Sequence, residues 1–72
     1  MFEKTEKLTL HVEGMSCAHC VAHVTDALKA VKGVKSVEVS LEAKSAEVAY
    51  LPSKTGREAL IAAVKAAGYE AE

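Results

Sequence analysis

Two cysteines, Cys17 and Cys20, stand three positions apart in the stretch VEGMSCAHC, residues 12–20, and the chain has no others. Thiols at this spacing serve four kinds of chemistry: a disulfide, a redox couple, half of a zinc site, or a metal site complete in itself. Residues three apart share neighbouring parts of one helical face, so both sulfurs can reach one ion. If the pair opens a helix, the free N–H groups and positive dipole end of its first turn favour thiolate over thiol. No acidic residue between Glu13 and Asp26 opposes that charge. Two thiolates suit a soft ion of low coordination number, and Cu(I) meets that description. Structural Zn(II) takes four ligands, of which this pair supplies half.

Three other readings compete. A thiol oxidoreductase also places CxxC at a helix start, usually with an aromatic before the first cysteine and a later cis-proline. Here Ser16 precedes Cys17, and the sole proline, Pro52, follows Leu51 ahead of a helical segment. A zinc finger needs further ligands, and His19 and His23 have H-x-x-x-H spacing. They share a segment with the cysteines, however, instead of following about 12 residues later. The third reading is a pair of inert buried thiols. Gly14, Ser16 and His19 make polar surroundings that favour exposure of Cys17.

The elements that must hold the pair follow from periodicity. In KLTLHVE, residues 7–13, Leu8, Leu10 and Val12 alternate with Thr9, His11 and Glu13, as in a half-buried strand. After Gly14 the period changes. Val21, Val24, Leu28 and Val31 line one helical face, which predicts a helix over about 18–32 with Ser16 as N-cap and Gly33 as its stop. VKSVEVSL, residues 34–41, and SAEVAYL, residues 45–51, alternate and form a hairpin around the EAKS turn. TGRE, residues 55–58, fits a capping box with Thr55 as N-cap and Glu58 reaching back. Leu60, Ala63, Val64 and Ala67 give the buried stripe of a second helix, Gly68 ends it, and YEAE suffices for a last strand. The order is β-α-β-β-α-β. Each strand has a single apolar face, so both helices cover the same side of a four-stranded antiparallel sheet. The expected class is α+β, a ferredoxin-like sandwich. In it the cysteine loop and the turn at Gly68 and Tyr69 lie at one end of the sheet.

Composition sets the outer bounds. Seventy-two residues make one small domain, 1–72, that buries only about 60% of its unfolded surface. Half of the residues are apolar, enough for a core without a disulfide framework. Nine basic and ten acidic side chains are mixed along the chain, with no basic run or stacking platform for nucleic acid. No apolar run approaches the ~20 residues of a membrane span. MFEKTEKLTL lacks the hydrophobic core of a secretory signal. The expectation is a soluble cytoplasmic protein with reduced thiols. A domain detached from a larger membrane protein fits the same features.

GMSCAHC resembles the GMxCxxC motif of heavy-metal-associated domains, and the likeness extends through CVxxVxxALxxVxGV, VEVSLEAKSAEVAY and AAVKAAGYE. It is closest to bacterial copper chaperones and to the amino-terminal domains of copper-exporting P-type ATPases. The resemblance implies that Cys17 and Cys20 bind Cu(I) and that a partner domain, such as that of a copper-transporting P-type ATPase, receives it by thiolate exchange. It implies no enzymatic activity. Met15 matches a methionine that packs into the core. Ser16 matches the Ser or Thr of copper members; zinc and cadmium members often have Asp there. Tyr69 matches a tyrosine that shields the sulfurs and hydrogen-bonds near them. His19 is expected in solvent, with an auxiliary role at the metal or in partner contact as the alternative. Lys29, Lys32 and Lys35 form either a steering patch or a solvated face. Two copies sharing copper through four cysteines would give a metal-bridged homodimer. Also open are a domain from a copper ATPase and a mercury-binding domain, since Hg(II) accepts a linear dithiolate.

Overall fold

The computed structural model describes residues 4–72. The first three residues of the expected 1–72 domain, and of the segment read as lacking a signal, lie outside the described residues. The elements are β1 (Glu6–Glu13), α1 (Ala18–Lys29), β2 (Val34–Ser40), β3 (Ser45–Tyr50), α2 (Arg57–Ala66) and β4 (Glu70–Ala71). They form one four-stranded antiparallel sheet of order β2-β3-β1-β4. The expected ferredoxin-like α+β sandwich is therefore present.

Alternation in the strands sets which side chains meet the helices. Leu10 and Val12 of β1 and Ala46, Val48 and Tyr50 of β3 turn inward. Val24 and Leu28 of α1 and Leu60 and Val64 of α2 pack on them in one buried cluster. Both helices thus cover the same face. Among the described residues, no helix is long and apolar enough to cross a membrane.

Antiparallel tracking puts the β1–α1 loop, the β2–β3 turn and the α2–β4 turn at one end of the sheet. Bonds between His11 and Glu72 extend the β1–β4 pairing, and the Val12 N–H donates to the Lys44 carbonyl at 2.8 Å. The β1–α1 loop is therefore clamped on both flanks of its strand.

Three local expectations differ from the structure. α1 ends at Lys29, not near residue 32, because the chain tightens through a Val31 N–H to Leu28 carbonyl bond. Gly33 is consequently not its stop. It occupies the third position of the Val31–Val34 turn with φ +97°. The second difference is the N-cap of α2, which is Gly56 with no side-chain cap bond. Thr55 is drawn into a turn closed on the Leu51 carbonyl, and its hydroxyl is buried without a partner, so the Thr55–Glu58 box does not form. The third is the N-cap of α1, which is Cys17, one residue after Ser16.

Gly33 links the two far-end loops. A Cβ there would lie 2.7 Å from the Lys54 Cβ and 3.3 Å from the Thr55 Cγ2. Left-handed backbone alone costs an L-residue about 1–2 kcal/mol. Gly33→Ala is expected to lose at least about that much stability in urea denaturation, the clash adding to the backbone cost. A loss of a few tenths of a kcal/mol would mean that residue 33 is not held in the left-handed conformation.

Candidate metal centre

The site is a reversal between β1 and α1. Gly14 has φ +99°, a conformation that L side chains rarely adopt, and a Cβ there would meet the Tyr69 ring at 3.4 Å. Met15 then turns inward and joins the buried cluster. This anchors the loop immediately before its exposed part. Ser16 and Cys17 are exposed, and Cys20 is half-buried and packs against the core.

Cys17 is extended, with φ −160° and ψ 175°, and caps α1 through its backbone. Its carbonyl accepts from the N–H groups of Cys20 at 3.0 Å and Val21 at 3.2 Å. Ser16, freed from capping, places its hydroxyl oxygen 3.8 Å from the Cys20 sulfur. The Cys17 and Cys20 sulfurs are 4.0 Å apart, and both cysteines are free thiols. A disulfide would need them at about 2.03–2.05 Å.

The Cys20 thiol is pulled down to about 6. The largest cause is the Tyr69 hydroxyl, which donates towards the sulfur; the Ser16 N–H and hydroxyl follow, and the Cys17 N–H adds to them. Desolvation works in the other direction and is outweighed. Tyr69 responds in kind, since a thiolate beside its hydroxyl holds the phenolic proton and raises its pKa. None of the influences on Cys20 comes from a lysine or arginine.

Of the residues singled out in the sequence, the fold brings Ser16, Cys17, Cys20 and Tyr69 together and puts Met15 beneath them. His19 is exposed and packs edge-on against the His23 ring. Among the described residues, no set of three or more His, Cys, Asp or Glu side chains converges, so the two sulfurs have no further side-chain donor of these types beside them. Lys29 lies at the far end of α1, about 18 Å along the helix from Cys17, and Lys32 and Lys35 follow it there. They do not surround the sulfurs. The lysines at the loop end are Lys44, in the β2–β3 turn, and Lys65, in the last turn of α2. Sequence reading missed them because only the strand directions bring those turns to this end.

The fold and the loop define a class: a small βαββαβ sandwich that presents two thiols at one helix start. The heavy-metal-associated domain profile matches residues 9–70, and the chain belongs to that family. It is 48% identical over 61 residues to "Copper-transporting ATPase 2" of Rhizobium meliloti, covering 85% of this chain and 7% of that protein. It is 39% identical over 69 residues to "Mercuric transport protein periplasmic component" of Acinetobacter calcoaceticus, covering 96% of this chain and 76% of that protein. The solved "CopZ metallochaperone" superposes with a TM-score of 0.90 at 37% identity, covering 93% of this chain and all of that one. The chain spans only 4–8% of the length of these transport ATPases.

The depressed thiol gives a pH signature. A thiol that ionises more readily when folded adds stability above its unfolded pKa, and that contribution disappears as pH falls through about 6. Alkylation of reduced Cys20 by iodoacetamide, followed by mass spectrometry, is expected to have its midpoint near pH 6. Tyr69→Phe is expected to move it towards the ordinary thiol value of about 8.5. An unmoved midpoint in that variant would show that the hydroxyl is not the main cause.

Proposed function

We propose that this chain is a non-enzymatic Cu(I) carrier of one domain. Cys17 and Cys20 hold the ion as thiolates and pass it to the metal-binding domain of a copper-transporting P-type ATPase. The observation that carries this reading is the 4.0 Å separation of two free sulfurs at an exposed loop. Metal–sulfur bonds of about 2.3 Å span about 3.8 Å at a tetrahedral angle and about 4.6 Å in line. The observed separation lies between these limits, so small side-chain rotations reach two- or three-coordinate geometry. Two donors alone leave a zinc site half filled, whereas a soft monovalent ion is satisfied by two thiolates.

Transfer follows from exposure. A partner thiolate attacks the bound ion, a third metal–sulfur bond forms, and one original sulfur leaves as thiolate. The oxidation state of copper is unchanged and no substrate bond breaks. A reducing compartment such as the cytoplasm keeps the thiols available. Two copies meeting at this loop would bring four sulfurs to shared copper. Within a longer ATPase the same site would serve as a docking or regulatory domain.

A second reading keeps the site and changes the ion. Hg(II) also accepts a linear dithiolate, and the likeness to the mercuric transport protein favours it. Ser16 in place of a carboxylate leaves either soft ion without a hard oxygen ligand.

Anaerobic Cu(I) titration against a competing chelator tests the main reading. The parent is expected to take one equivalent. Cys17→Ser and Cys20→Ser are each expected to bind at least about 100-fold more weakly, since each loses one of two linked donors. Unchanged uptake in both variants would sink the reading, and Hg(II) displacing Cu(I) at equal free concentrations would select the second one. Binding should also weaken as pH falls below about 6, where protons compete for Cys20.

A further inference from the structure

The exposed face of α1 carries a feature that the thiol pair does not use. His19 and His23 are four residues apart, one helical turn, and both are exposed. Their ring centres are 5.5 Å apart and their planes meet at 82°. We propose that His19 and His23 form a second cation site, which takes a borderline divalent ion such as Zn(II) independently of Cys17 and Cys20.

The separation is what such an ion requires. A metal held about 2.0–2.1 Å from one nitrogen of each ring lies about 3.2 Å from each ring centre, and a tetrahedral angle then sets the centres about 5.2 Å apart. The two rings already stand close to that spacing, so ring rotation supplies most of the remaining adjustment.

The pair is distinct from the sulfurs in chemistry and in exposure. Cys20 packs against the core, one turn before Val24, whereas His19 and His23 are exposed, with His23 adjoining Cys20 along the helix. No third donor converges with the rings among the described residues, so water completes the coordination. Imidazole suits Zn(II), Ni(II) and Cu(II), whereas thiolate selects softer ions. Two local fields act on a bound cation. The positive end of α1 opposes it. Asp26, the only carboxylate on α1, lies one turn beyond His23 on the same stripe and favours it. The site is accordingly an open one of moderate affinity.

The test is a Zn(II) titration of the Cys17→Ser/Cys20→Ser variant, followed through the histidine ring resonances by NMR. The His19 and His23 signals should shift together and saturate at one equivalent. His19→Ala or His23→Ala, added to that variant, should weaken binding by about 100-fold, the gain from linking two donors. His11→Ala should leave it unchanged. If the serine variant lacks the circular dichroism of the folded parent, the same titration is made on the parent with both thiols carboxamidomethylated. Rings that respond independently, affinity that survives either alanine substitution, or binding that is lost with His11 would overturn the proposal. Because sulfur is absent or blocked throughout, the outcome does not depend on the Cu(I) reading.

Discussion

A thiolate at a protein surface must have its charge answered, and here dipoles answer it. The Tyr69 hydroxyl, the Ser16 hydroxyl and the N–H groups of Ser16 and Cys17 all favour the Cys20 anion. A nearby ammonium or guanidinium would achieve the same ionisation by neutralising the charge. Dipoles leave the formal negative charge in place. The loop can therefore hold its sulfur ionised and still attract a cation, which a cationic neighbour would repel. The rest of the structure serves this arrangement, since Tyr69 reaches the loop only if α2 ends, and β4 begins, at that end of the sheet.

Anchorage and exposure are divided between adjacent residues. Met15 belongs to the buried cluster, while Ser16 and Cys17 lie in solvent. Between β1 and Met15, Gly14 turns the chain in a conformation that also lets the Tyr69 ring approach. The loop is thus held at its base by core packing and at its end by the first turn of α1. The proposed carrier role needs both properties. A loose loop would pay for ordering its ligands each time it bound, and a sealed one would exclude the partner's sulfur.

Family membership places this chemistry in two settings. The chain aligns with a small part of long transport ATPases and with the whole of a solved metallochaperone. One scaffold serves both because its core is assembled from its own strands and helices. The mercuric relative retains the scaffold too. A two-sulfur site discriminates by softness and coordination number, and Cu(I) and Hg(II) are alike in both respects.

The sequence by itself determined the element order. Period-two alternation in residues 7–13 and 34–51, against helical spacing from Val21 to Leu28 and from Leu60 to Val64, is written locally and survives folding. So is the placing of a dithiol at a helix start. Boundaries and caps were less legible. Cys17, not Ser16, caps α1, and Gly56, not Thr55, caps α2, because neighbouring turns compete for the same backbone groups. Only the tertiary structure decided which distant groups act on the sulfurs. Tyr69 perturbs Cys20, Lys44 and Lys65 share its end of the molecule, and Lys29, Lys32 and Lys35 stand at the other. The physical reason is one of range: helix and strand periods depend on neighbours along the chain, whereas the field at a sulfur depends on distance through space, which strand order and direction set.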